Sequence, residues 1–95
     1  MISRDLILEA AREHSSGPDA VIPRSSRFGL GFQLTQPERP LGPNSNAFGH
    51  FGAGGSLGFA DPQAGIGFGY VMNVMGPRWQ NPTNRNLIDA LYSCL

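Results

Sequence analysis

The chain has 95 residues and a mass of 10.2 kDa, enough for one small domain that buries roughly two-thirds of its unfolded surface. Seven basic residues balance seven acidic ones, and that neutrality argues against nucleic acid or an anionic membrane as the main partner. All seven bases are arginine, so a mechanism needing a lysine amine cannot run on this chain alone, and a single cysteine, Cys94, excludes an internal disulfide or a cysteine-based metal site.

No apolar run approaches the ~20 residues of a membrane-spanning helix. The opening Met1-Ile2-Ser3-Arg4-Asp5 lacks the basic stretch of a secretory leader, which makes a cytoplasmic location the default expectation.

In chain order, the first periodic segment is helical over about 3–14. Ser3 can cap it, Asp5 lies in its first turn, and Leu6, Ile7, Ala10 and Ala11 share a face. Asp5, Glu9, Arg12 and Glu13 form its solvated side, and His14 suits the negative end of the helix dipole. Pro18 to Ser26 reads as a connecting loop. Phe28 to Thr35 alternates strictly, with Phe28, Leu30, Phe32 and Leu34 on one side, and predicts a strand over about 28–35. Gln36 to Asn46, including Pro37-Glu38-Arg39-Pro40, reads as a second loop.

Eight of the thirteen glycines then fall between Gly49 and Gly69, interleaved with Phe, Leu, Ile and Tyr. Strands are expected over about 47–50, 56–60 and 66–74, the last two joined by a hairpin loop at Asp61-Pro62-Gln63-Ala64-Gly65. Asp61 belongs to that turn chemistry. Trp79 reads as a packing anchor and Cys94 as an inert thiol. The final helix, over about 82–94, has Asn81 as N-cap, Pro82 at its first position and an apolar stripe of Leu87, Ile88, Leu91 and Leu95. The expected architecture is an α/β chain of the α+β type: an antiparallel sheet of three to four strands flanked by N- and C-terminal helices. Two short helices cover only part of its apolar surface, so the chain either self-associates or belongs to something larger.

The segment Phe48-Gly49-His50-Phe51-Gly52-Ala53-Gly54-Gly55-Ser56 is the candidate for chemistry. Gly49 and Gly54 have the spacing of a phosphate-binding loop, but Gly55 stands where its lysine belongs and a strand follows where a helix is required. A second reading is structural: glycines turning between two strands, with His50 incidental.

A third reading comes from likeness. His50-Phe51-Gly52, a glycine turn, a strand, an Asp-Pro hairpin, the strand Ile66 to Asn73 and a terminal helix together resemble the C-terminal part of serine beta-lactamase-related hydrolases, a superfamily of class C beta-lactamases, D-Ala-D-Ala peptidases and esterases. Phe28-Gly29-Leu30-Gly31-Phe32 is similar to the strand that precedes the third motif there, and Phe48 to Asn73 resembles the His-x-Gly, esterase-type branch.

That resemblance implies a fragment of the beta-lactamase/transpeptidase-like fold, with residues 1–95 a single C-terminal segment. It implies His50 at the third-motif position, Gly52 and Phe51 lining the substrate, and the Ala53 backbone N–H as an oxyanion donor. Phe51 in place of Thr or Ser tilts the substrate toward esters. The intact enzyme would hydrolyse a small ester or amide through an acyl-serine, with no metal and no organic cofactor. The Ser-x-x-Lys nucleophile motif is absent, and Tyr70-Val71-Met72-Asn73 is one residue too long for the second motif, so this chain alone is expected to be inactive. The alternative is a small non-catalytic β-rich module that self-associates through its apolar sheet face.

Overall fold

Six short strands, each antiparallel to the next, make one meandering sheet in the order β1 to β6. The computed structural model describes all residues from Met1 to Leu95. Helix α1 (Arg4–Ala10) precedes β1 (Ser15–Pro18), β2 (Ser25–Phe28), β3 (Gln33–Leu34), β4 (Phe48–Phe51), β5 (Leu57–Asp61) and β6 (Ile66–Tyr70), and α2 (Pro82–Ser93) closes the chain. The sheet therefore has more strands than the three to four expected.

The additional strands come from two places. Ser15 to Pro18 and Ser25 to Phe28 pair in register, Ser15 with Phe28 and Pro18 with Ser25, although the stretch between Pro18 and Ser26 read as a loop. Neither strand alternates in hydropathy: β1 is the largely exposed edge of the sheet and β2 beside it is half-buried, so backbone pairing defines them. Asp19 caps the loop between them, its Oδ1 accepting from Val21 N–H at 2.8 Å and Ile22 N–H at 2.9 Å.

The strand expected over about 28–35 is in fact a reversal. Phe28 pairs with Gln33, and Gly29 N–H donates to the Phe32 carbonyl at 2.9 Å. Gly31 takes φ +82°, which an L side chain resists, so two glycines turn the chain where the alternating pattern asked it to continue. Leu30 and Phe32 consequently sit at the tip, exposed.

Register defines the two faces of β4 to β6. Phe51, Leu57 and Tyr70 share one face with Phe59 and Phe68; His50, Gly58 and Gly69 share the other with Phe48, Ala60 and Gly67. The first face carries the core: Leu41, Ala47, Phe51, Leu57, Phe59 and Ile88, with Trp79, Leu91 and Tyr92 packed against it. Leu41 is fully buried although it lies in the loop after β3. Helix α2 covers this face. Its apolar stripe is shifted from the expected one: Asn84 and Ile88 are buried, whereas Leu95 is exposed. Helix α1 buries none of its residues. No helix is long and apolar enough to cross a membrane.

Helix α2 starts where its sequence dictates. Asn81 accepts from the N–H groups of Thr83 and Asn84, and Asn84 reciprocates by accepting the Asn81 N–H at 3.1 Å. At the β5–β6 turn Asp61 does more than cap. It accepts from the Gln63 and Ala64 N–H groups, from Asn44 at 2.8 Å and from the Tyr92 hydroxyl, joining the hairpin to the loop after β3 and to α2. Burial alone would raise its carboxyl, but these four donors outweigh it and hold the group below the ordinary carboxylate range.

Candidate active site

On β4, strand β3 reaches only Phe48 and Gly49, so β4 runs past its end. The gap beyond is a cleft of about 240 Å³, bounded by Ser26 and Phe28 of β2, by His50 and Phe51 of β4, and by Ala53 just after it. Ile22, Arg24, Gln33, Arg39 and Trp79 complete its lining.

His50 is exposed on β4, its ring 6.1 Å from that of Phe28. Its Nδ1 lies 2.7 Å from the Phe51 carbonyl. A carbonyl oxygen can only accept, so Nδ1 carries the proton and Nε2 is left without a protein partner. In the neutral ring Nε2 accepts; it donates only once the ring is an imidazolium.

Ala53 stands second in a tight turn. Gly55 N–H returns to the Gly52 carbonyl at 3.0 Å, and Gly52 N–H donates to the Ser56 carbonyl at 2.8 Å. Those bonds close the turn around Ala53 without using its own amide, which donates to no protein acceptor. The residue is exposed, and its free N–H stands beside the cleft that His50 lines.

Gly52 serves the turn itself: a Cβ there would lie 2.1 Å from Ser56 Oγ. It is not among the cleft-lining residues. Phe51 points to the other face of the sheet, 4% exposed in the core, with its ring edge-on to Trp79 at 5.4 Å between centroids. It lines the cleft as a buried residue of the core face. The structure thus brings His50, Ala53 and Phe51 to one cleft and keeps Gly52 behind them.

Part of the cleft lining was not legible in the motif. Arg24 and Arg39 both approach the Trp79 ring, their guanidinium carbons 4.2 and 5.6 Å from its centroid. They arrive from two loops separated by β2 and β3. Their only sequence signal was a pair of arginines in loops and a lone tryptophan. Trp79 is also the packing anchor its position suggested, against Phe51. No three His, Cys, Asp or Glu side chains gather where they could hold a metal ion.

Against this geometry, the family model described as Beta-lactamase matches residues 2–92. The chain belongs to the beta-lactamase family. Within that family it is 36% identical over 73 residues to "Esterase/beta-lactamase LipL" of Mycobacterium tuberculosis, an alignment covering 76% of this chain and 16% of that protein. Among solved structures it is similar to a family VIII carboxylesterase, with 45% identity and a TM-score of 0.93 over 99% of this chain and 26% of that one. A penicillin-binding protein homologue from Caulobacter crescentus gives 40% identity and a TM-score of 0.90 over 99% and 26%. EstA from Arthrobacter nitroguajacolicus Rue61a gives 35% and 0.87 over 97% and 24%. The chain spans about a sixth of the curated relative and about a quarter of each solved structure. The antiparallel sheet with its two helices is the corresponding part of the beta-lactamase/transpeptidase-like fold.

Proposed function

We propose that this chain is the C-terminal wall of an ester-hydrolysing acyl-transfer site. In the intact enzyme a serine from outside this segment attacks the carbonyl carbon of a small ester or amide. The alcohol or amine departs with a proton, and water then releases the acyl group as the acid. The Ala53 amide receives the oxyanion, His50 contacts the nucleophile's proton relay and the substrate's polar end, and Phe51 with Gly52 shapes the strand beside the substrate. The single observation that carries this reading is the unbonded Ala53 N–H at the same cleft as the unpartnered His50 Nε2.

Without lysine the chain has no Ser-x-x-Lys, and on this reading it needs the rest of the enzyme to turn over substrate. The test has two parts. The isolated chain should neither hydrolyse chromogenic esters or cephalosporins nor be labelled by a fluorophosphonate; stoichiometric labelling of one of its serines defeats the claim. In a full-length relative, replacing the histidine that matches His50 by Ala should lower turnover by ~10²–10³, the order of a lost oxyanion-type donor. An unchanged rate reduces His50 to scaffold.

A second reading, a self-associating interaction module, is favoured by the exposed Leu6, Leu8, Leu30, Val71, Val74 and Met75. A monodisperse homo-oligomer with a cooperative melt, measured by light scattering and calorimetry, would support it over the first.

A further inference from the structure

The sheet has two open edges, β1 and β6, and they differ in kind. Strand β1 ends at Pro18, which has no N–H to offer, and Glu13, His14 and Asp19 flank it. Proline and charge are the usual guards of an exposed edge. Strand β6 has neither. No charged residue lies between Asp61 and Arg78, and β5 is the one strand beside β6. Its residues make no backbone hydrogen bond outside that pairing, so the groups pointing away from β5 have no protein partner.

The chain that follows turns away from this edge. Gly76 N–H donates to the Gly54 carbonyl at 2.8 Å, and Met72 and Met75 crowd Gly54, which carries the segment back to the turn between β4 and β5. On one face of β6, Ile66, Phe68 and Tyr70 are half-buried. On the other, Gly67 and Gly69 are exposed, and a Cβ at either would meet nothing within 4 Å.

We infer that two copies of this chain pair antiparallel through β6, with a two-fold axis at Phe68. The occupant is a second copy because the edge is self-complementary. In that register Phe68 meets Phe68, Ile66 meets Tyr70 and Gly67 meets Gly69. Apolar side chains then stay on one face and glycines on the other, and no charge opposes its like. Since β1 is guarded, β6 is the edge each copy has to offer, so the contact closes as a dimer and does not grow into a fibre. This rests on the self-association reading, to which it gives a definite surface. It is independent of the acyl-transfer reading, because no residue of β6 lines the cleft.

The test uses the 95-residue chain. Sedimentation equilibrium should give a mass that rises with concentration and levels off at twice 10.2 kDa. The two glycines allow a test of register, because new side chains there stand in open space within one copy. Gly67→Lys with Gly69→Lys sets like charges directly opposite across the interface and should raise the dimer dissociation constant by about tenfold. Gly67→Lys with Gly69→Glu alters the same two positions but sets each lysine against a glutamate, and should stay within about threefold of wild type. Far-UV dichroism of all three proteins should match. A monomer at every concentration, an open-ended polymer, or association lost equally in both variants overturns the inference. A homo-oligomer indifferent to both variants also overturns it, but leaves the self-association reading standing on another surface.

Discussion

Asn84 ties the first turn of α2 to the Ala53 turn, its Nδ2 donating to the Gly55 carbonyl at 3.1 Å. The same Nδ2 donates to the Trp79 carbonyl at 2.9 Å, and its Oδ1 accepts the Asn81 N–H. One fully buried amide thus satisfies a helix cap, the turn after β4 and the backbone of the cleft tryptophan.

Asn84→Ala should therefore cost ~1–3 kcal/mol, since it strands buried partners on three sides. Asn84→Asp keeps the acceptor for Asn81 but loses both donations and should recover only part of that. Urea denaturation of the three proteins checks it, with unchanged midpoints as the contrary result.

Asp61 makes stability depend on pH. Burial raises its folded carboxyl, but the hydrogen bonds from the Tyr92 hydroxyl, the Ala64 and Gln63 amides and Asn44 together outweigh it and hold the group below the ordinary range. The unfolded chain therefore takes up the proton first as pH falls. The stabilisation is full above the usual carboxylate value of ~3.9 and is lost as pH drops through the depressed folded value. Wild type should exceed Asp61→Asn in stability at pH 7, and the gap should narrow below pH ~4. Melting curves at the two pH values test this; a constant gap counts against it.

Tyr92 responds in the opposite direction. Burial, then the hydrogen bond and the charge of Asp61, raise its phenol above the ordinary tyrosine range. It stays neutral and donating at every pH where the fold is useful, and the stabilisation is lost only as pH climbs past the unfolded value of ~10. Absorbance titration of the folded chain should show one phenol ionising late, and Asp61→Asn should bring it down.

Gly52 can be tested by its neighbour. Gly52→Ala sets a methyl 2.1 Å from Ser56 Oγ and should destabilise by ~1–3 kcal/mol, as overpacked sites do. Ser56 Cβ is 3.5 Å away, an ordinary contact, so adding Ser56→Ala should recover most of the loss. A double-mutant cycle with strictly additive costs would contradict this.

Glu9 has the most depressed carboxylate on the surface. The Arg12 side chain, against a smaller opposing effect of desolvation and with help from His14, lowers it to about 2. Arg12→Ala should move its NMR titration upward toward ~4.3. A midpoint that stays near 2 would point to another cause.

What could be read locally was read from short-range chemistry. Asn81-Pro82 starts a helix wherever it lies, and Asp61 to Gly65 turns a hairpin because Asx and glycine geometry act within a few residues. The alternation of Ile66, Phe68 and Tyr70 against Gly67 and Gly69 matches the burial of β6. The same reasoning failed at Phe28 to Thr35, where alternation and glycine turn chemistry conflict and the second prevails. It also passed over β1 and β2, whose serines carry no hydropathy signal, and over Leu41, whose place in the core depends on Ala47 and Ile88 arriving from elsewhere.

The linear order of residues, unaided, determined the family, the absence of a lysine and of a Ser-x-x-Lys motif, and the strand of His50 with the glycine turn of Ala53 after it, because these are matters of composition and near-neighbour spacing. Only tertiary structure decided that the Ala53 amide is free, that Asn84 braces its turn, and that Arg24 and Arg39 converge on Trp79. The last two depend on groups far apart in the chain, and the first on backbone geometry within one turn; their meeting at one cleft is set by how β3 ends early and α2 packs, which no local pattern encodes.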